Sequence, residues 1–204
     1  MRLYIVRHAD PDYARNTITP RGHEEAKALA KRLATVGLSR IYTSPMGRAQ
    51  HTAQYTAEAV GIEPITVPWT AELAVERIED LDGEPTATWN VAGELVRGRE
   101  PLPTHDTWHE LDVLAGVDCR GTQQALADAS DLFLAELGYR RTGGVYEVVR
   151  PNEEAVAVFC HAGFGVSWLA HLLALPLSLA WCGFFWAPSS VTTVLMEQRS
   201  PRYA

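Results

Sequence analysis

Arg7 and His8 occupy a position where side chains do chemistry. They follow Leu3-Tyr-Ile-Val6, an apolar, β-prone run short enough to be a buried strand. They lead into Ala9-Asp10-Pro11-Asp12, which reads as a loop. A guanidinium and an imidazole therefore meet at the end of the first strand, where open α/β sheets bind their ligands. The pattern recurs late in the chain, where Ala155 to Cys160 is a second buried-strand run that delivers His161 into Ala162-Gly163. Arg48 follows a third such run, Arg40 to Thr43, and falls in the first turn of a predicted helix. A guanidinium grips two phosphate oxygens at once. A helix N-terminus adds unpaired N–H donors. Two histidines and two arginines at strand ends thus point to an anion, and phosphate is the obvious one. One histidine alone would most often be structural, so the combination carries the reading.

The chemistry follows from the residue types. A neutral imidazole can attack phosphorus and form a phosphohistidine, dividing one hard displacement into two easier ones. The second histidine and the arginines steady the charge on the equatorial oxygens. A carboxylic acid must protonate the leaving oxygen and later deprotonate water. Glu72, just beyond the Ile65-Thr-Val67 strand, lies in the right region, with Glu76 and Glu79 as rivals. The arginines do the charge neutralisation, so no metal and no cofactor is expected. His105 and His109 have i, i+4 spacing, but no carboxylate-rich context makes them a metal pair.

The elements that must position these groups read as α/β. Gly22 to Val36 has apolar residues at Ala26, Leu29, Ala30 and Leu33, the spacing of a helix that Thr19 or Pro20 opens and Gly37 stops. With Gly47 to Val60 as a second helix, the first third of the chain is β-α-β-α-β, which implies a parallel sheet flanked by helices. Pro68 to Gly121 breaks this rhythm. It holds Trp69, Trp89, Trp108 and several prolines, and it reads as an inserted, partly helical lid over the carboxyl edge of the sheet. A helix over Thr122–Leu137, an edge strand over Tyr146–Val149, a helix over Phe164–Leu173 and a last strand over Val191–Met196 complete the pattern. The expected architecture is a three-layer α/β sandwich, mostly parallel, with helices on both faces. It forms one domain over residues 1–204 with an insertion at about 68–121.

Composition sets outer bounds. At 204 residues one domain is the default. A net charge of −7 argues against a general nucleic-acid binder, while a local arginine cluster can still hold a small anion. Cys119, Cys160 and Cys182 are far apart and form no CxxC pair, which suits reduced thiols in a cytoplasmic protein. No stretch has the length of a membrane span, and the N-terminus reads as a strand rather than a signal peptide. The expected partner is a small phosphorylated substrate, with neither nucleic acid nor membrane. Oligomeric state is not legible.

The segments, taken together, resemble the histidine phosphatase superfamily, the phosphoglycerate-mutase-like fold. Arg7-His8-Ala9 is similar to the family's Arg-His-Gly. Ile18-Thr19-Pro20-Arg21-Gly22 is similar to its Leu-Thr-x-x-Gly. Ser44 to Ala53 closely follows its Ser-Pro-Leu-x-Arg-Ala-x-x-Thr-Ala, and Cys160-His161-Ala162-Gly163 resembles its strand-His-Gly. The resemblance covers nearly the whole chain. It implies that His8 accepts the phosphoryl group, that Arg7, Arg48 and His161 bind phosphate, and that Glu72, in Trp69-Thr70-Ala71-Glu72, donates the proton. It further implies a phosphatase acting on a small phosphomonoester, with a phosphoglycerate-type mutase or a non-catalytic phospho-ligand binding module as alternatives.

Overall fold

The computed structural model describes residues 1–73, 77–196 and 200–204. Its central sheet has five strands: β1 (Arg2–Arg7), β4 (Arg40–Thr43), β5 (Ile65–Thr66), β10 (Ala155–Cys160) and β11 (Val191–Leu195), in the order β11-β1-β10-β4-β5. The β1, β10, β4 and β5 neighbours are parallel, and β11 runs antiparallel to β1. All six residues of β10 are buried, as a strand covered on both faces requires. The late strand enters between the first two, and its register pairs Arg7 with Cys160. The next residues, His8 and His161, therefore emerge side by side at the carboxyl edge. Phe159 pairs with Thr43, so Ser44 leaves β4 level with Cys160, and its side chain reaches the adjacent His161.

Helices α1 (Pro20–Leu33) and α2 (Gly47–Val60) cover one face. Leu29, Leu33, Ala53 and Ala57 pack there on Tyr4, Val6, Ile41, Ala157 and Phe159. Thr19 caps α1 by accepting from the Gly22 amide at 3.1 Å, and Pro20 opens its first turn. Such a cap is worth about 1 kcal/mol. On the opposite face Tyr42 meets Phe133, near the end of α4 (Cys119–Glu136), with ring centroids 4.9 Å apart. Trp69 packs there against Phe133 and against Phe164 of α5 (Ala162–Leu172). Trp69 is half-buried in this packing, whereas Trp108 is buried against Trp181.

The remaining elements are short. Strands β2 (Pro11–Asp12) and β3 (Thr17–Ile18) form a small hairpin after His8. Strands β6 (Arg77–Glu79) and β7 (Pro85–Ala87) form another. Single turns of 3-10 helix at Pro68–Thr70, Thr88–Asn90 and Asp112–Leu114 and the helices α3 (Gly93–Arg97) and α6 (Leu177–Gly183) complete the list of elements outside the main layers. The segment expected as an edge strand, Tyr146–Val149, is instead one arm of a separate hairpin. Its strands are β8 (Tyr139–Thr142) and β9 (Val145–Val148). The Gly143-Gly144 turn closes β9 on its sequence neighbour before it can reach the sheet.

The chain divides into two compact units. One comprises residues 1–72, 133–165 and 186–204 and contains the central sheet; the other comprises residues 73–132 and 166–185. The second unit is larger than the expected insertion, because most of α4, the rest of α5 and all of α6 belong to it. No described helix is long and apolar enough to cross a membrane.

Candidate active site

The site is built from the carboxyl ends of β1, β10 and β4 and the two segments that follow β4 and β5. His8 and His161 are buried, with ring centroids 5.2 Å apart and planes inclined by 58°. The His8 amide donates to the Cys160 carbonyl at 2.9 Å, which extends the β1–β10 ladder by one residue and fixes the loop's starting direction.

His8 Nδ1 lies 2.8 Å from the Ala9 carbonyl oxygen. A carbonyl only accepts, so Nδ1 carries the proton and Nε2 keeps its lone pair. That is the tautomer an attacking imidazole needs. Burial lowers the pKa of His8 to about 4; the Ala9 contact opposes this, and Arg7 and Arg48 reinforce it. Burial likewise holds His161 well below the usual imidazole range, with Arg48, His8 and Arg7 adding to the effect. Two neutral imidazoles therefore face two guanidinium groups, a locally positive site in a chain of net charge −7.

A pH dependence of stability follows. The unfolded chain protonates His8 near 6.5, and the folded chain near 4. Between these values the unfolded state binds more protons, so stability falls as pH drops. The contribution is complete above about 6.5 and is lost on going down through about 4, with His161 acting in the same sense. Urea midpoints measured from pH 7 to pH 4 should fall, His8 accounting for on the order of 3 kcal/mol. A His8→Gln variant should show a shallower fall.

His161 Nε2 lies 2.8 Å from Ser44 Oγ. Ser44 Oγ accepts from the Met46 amide at 3.2 Å. His161 Nδ1 is buried with no hydrogen-bond partner, and so are Nε of Arg7 and Nε of Arg48. Arg7 donates through Nη1 to the Trp186 carbonyl, and Arg48 through Nη1 to Asn16 Oδ1 at 3.1 Å. Each arginine is thus anchored by one nitrogen and keeps another uncommitted. A buried polar group without a partner costs about 1–3 kcal/mol. The three nitrogens lie beside His8, where the two arginine N–H groups can donate to an anion with several oxygens.

Glu72 reaches the same region from the far side of β5. Its Oε1 accepts from the Phe164 amide at 2.7 Å and its Oε2 from the Gly163 amide at 3.3 Å. The carboxylate therefore caps the first turn of α5, two residues beyond His161. Its charge acts on Arg48, opposing the larger effect of burial, which lowers that guanidinium's pKa. Of the two rivals, Glu76 lies outside the described residues, and Glu79 is exposed at the end of β6 in the other compact unit.

The five residues singled out by sequence are accompanied by four that were not. Ser44 and Thr52 orient His161 and the Ala9 amide, the latter by a 2.9 Å hydrogen bond to Thr52 Oγ1. Asn16 holds Arg48 from a left-handed backbone conformation, φ 51°, which asparagine tolerates better than most residues. Its carbonyl oxygen would lie 2.3 Å from a Cβ placed on Gly47, so the start of α2 requires glycine there. Tyr13 lies with its ring 5.4 Å from the Arg48 guanidinium carbon and edge-on to His8. Ser44 and Thr52 lie in the Ser44–Ala53 segment already flagged, whereas Tyr13 and Asn16 fall between the flagged segments and carry no sequence signal beyond that of a polar turn. The other histidines are engaged elsewhere: His23 with Tyr55, His51 with Thr17 and His171 with Asp131. Among the described residues no group of three or more His, Cys, Asp or Glu side chains has the arrangement of a metal site, His105 and His109 included.

The chain belongs to the histidine phosphatase superfamily, branch 1, whose family model matches residues 3–109, just over half of the sequence. Among curated relatives, a probable phosphoglycerate mutase GpmB of Enterobacter sp. (strain 638) is 28% identical over 145 residues, which is 65% of this chain and 64% of that protein. The protein of the same name from Serratia proteamaculans (strain 568) is 30% identical over 89 residues, 39% of this chain and 41% of that one. The match thus spans less than two thirds of the length of these relatives. A solved mycobacterial glucosyl-3-phosphoglycerate phosphatase in complex with VO3 superimposes with a TM-score of 0.61 at 19% identity, covering 97% of this chain and 92% of that one. A phosphoserine phosphatase of Entamoeba histolytica in complex with 3-phosphoglyceric acid gives 0.61 at 17% identity, covering 96% and 90%. At these identities the two structures establish the shared fold.

Proposed function

We propose that the protein is a phosphatase that hydrolyses a small phosphomonoester through a phosphohistidine on His8. The observation that carries this reading is the set of three buried side-chain nitrogens without partners, Arg7 Nε, Arg48 Nε and His161 Nδ1, beside an imidazole whose Nε2 is free of its proton. The Nε2 lone pair forms the bond to phosphorus as the bond to the leaving oxygen breaks. Glu72, entering this step in its carboxylic-acid form, gives its proton to that oxygen and becomes the carboxylate. It then takes a proton from water, whose oxygen displaces His8 from phosphorus and restores the neutral imidazole. The arginines and His161 stabilise the charge on the equatorial oxygens throughout.

The names of the structural neighbours, phosphatases of glucosyl-3-phosphoglycerate and phosphoserine, support a small phosphorylated substrate. The names of the curated relatives favour a second reading, a phosphoglycerate-type mutase that returns the phosphoryl group to another hydroxyl. Turnover of para-nitrophenyl phosphate, compared with isomerisation of 3-phosphoglycerate, decides between them. Hydrolysis without isomerisation is expected. Because Arg7, Arg48 and His161 supply the positive charge, turnover should persist in EDTA. Loss with EDTA and recovery with a divalent ion would overturn the proposed chemistry. Vanadate should inhibit, since its trigonal-bipyramidal form resembles the transferring phosphoryl group.

A further inference from the structure

Glu25, in the middle of α1, has no part in the chemistry above, yet its carboxylate reaches the loop that carries His8. Its Oε2 accepts from the Asp10 amide at 3.0 Å and from the Ser189 hydroxyl at 3.2 Å. Its Oε1 accepts from Arg21 Nε at 3.0 Å. The Asp10 amide N–H and the Ala9 carbonyl belong to one peptide unit, which is planar, with the two groups pointing in opposite directions. That carbonyl is the one that accepts the His8 Nδ1 proton at 2.8 Å. The preceding peptide is held as well. Thr52 Oγ1 accepts the Ala9 N–H, and the Ser189 N–H donates to the His8 carbonyl at 3.1 Å. Ser189 makes that bond from φ 61°, a left-handed conformation that a serine adopts only when its surroundings hold it there. Its hydroxyl is held by Glu25.

We propose that Glu25 is a positioning residue that sets the tautomer of His8 through the Ala9–Asp10 peptide plane. This rests on the reading of His8 as the nucleophile. Three donors converge on the Glu25 side chain, and a carboxylate, which only accepts, satisfies all of them; the two that hold the loop, Asp10 N–H and Ser189 O–H, share Oε2. A negative charge at the N–H end of a peptide also polarises it, making its carbonyl a stronger acceptor for the imidazole N–H. Without Glu25 the plane is free to turn and the Ala9 oxygen leaves Nδ1. The imidazole can then carry its proton on Nε2, where no lone pair remains for phosphorus.

Two readouts test this. The two-bond 1H–15N correlation spectrum of the free enzyme, with His8 assigned by its loss in His8→Ala, reports the tautomer without any substrate. In the wild type it should show the Nδ1–H form alone. Glu25→Ala should show a mixture of tautomers and a kcat lower by roughly tenfold to a hundredfold, the cost of a misplaced reacting group. Glu25→Asp keeps the charge and the helix but withdraws the carboxylate by about 1.5 Å, one C–C bond. It should behave like Glu25→Ala, and it carries the test if the alanine variant fails to fold. Glu25→Gln presents an oxygen to the Asp10 amide at the original reach and should recover the Nδ1–H form, with kcat within about threefold of the wild type. A wild-type tautomer and kcat in Glu25→Asp, or a glutamine variant no better than the aspartate one, would overturn the proposal. An inactive wild type whose spectra nonetheless follow this pattern would count against the phosphatase reading and leave the positioning role standing.

Discussion

Replacing His8 with alanine should abolish turnover and, with it, the labelling of the enzyme by phosphate. The loss should be on the order of 10⁴- to 10⁶-fold in kcat, the scale seen when a covalent nucleophile is removed from an otherwise intact site. The reason lies in the site's electrostatics. His8 is neutral at working pH because burial disfavours its charged form, and its Nε2 is unprotonated because the Ala9 carbonyl holds the proton on Nδ1. His161 is also neutral, but Ser44 Oγ occupies its Nε2 side. The two imidazoles are therefore not interchangeable. The label in the wild type should be acid-labile and alkali-stable, as phosphohistidine is. Labelling that survives in His8→Ala would move the nucleophile to another residue and sink the assignment.

Glu72→Gln is expected to have the next largest effect, and the effect should depend on the leaving group. An alkoxide leaves poorly without a proton, whereas para-nitrophenolate hardly needs one. Loss of a general acid costs about 10²- to 10⁴-fold. Hydrolysis of an alkyl phosphate should fall by that amount, while hydrolysis of para-nitrophenyl phosphate should fall far less. Glu72 also caps α5 through the Gly163 and Phe164 amides, so the amide variant gives up part of that cap. This loss, about 1 kcal/mol, appears as a lower melting temperature and weighs on both substrates equally. The ratio of the two rates is therefore the readout. Equal losses would make Glu72 a positional group and return Glu79 and Glu76 to candidacy.

The sequence determined the strands that matter and the residues at their ends. Leu3–Val6 and Ala155–Cys160 are apolar runs of strand length, and such runs are buried wherever they fall in a parallel sheet. The helical spacing of Ala26, Leu29, Ala30 and Leu33, with Thr19 and Pro20 before it, is a local signal, and α1 begins where that signal places it. What was legible in this way is encoded over a few neighbouring residues. The pairing order is not. Only the fold decides that β10 enters between β1 and β4, because strand adjacency is settled by packing residues more than 100 positions apart in sequence. That insertion sets His8 5.2 Å from His161 and brings Ser44 to the second imidazole. The hairpin of β8 and β9 was misplaced for the opposite reason. Its strand pattern is ordinary, and the tight glycine turn sent it to its sequence neighbour rather than to the sheet. Charge states also belonged to the tertiary structure. Arg7, His8, Arg48 and His161 are ordinary titratable residues on paper, and burial beside one another leaves two neutral imidazoles and three buried side-chain nitrogens without partners. The carboxylate that reaches His8 through a peptide plane could not be read from sequence at all, since Glu25 lies among exposed charged residues of an amphipathic helix. It acquires its contacts only when the Asp10 loop and the Ser189 turn fold onto that helix.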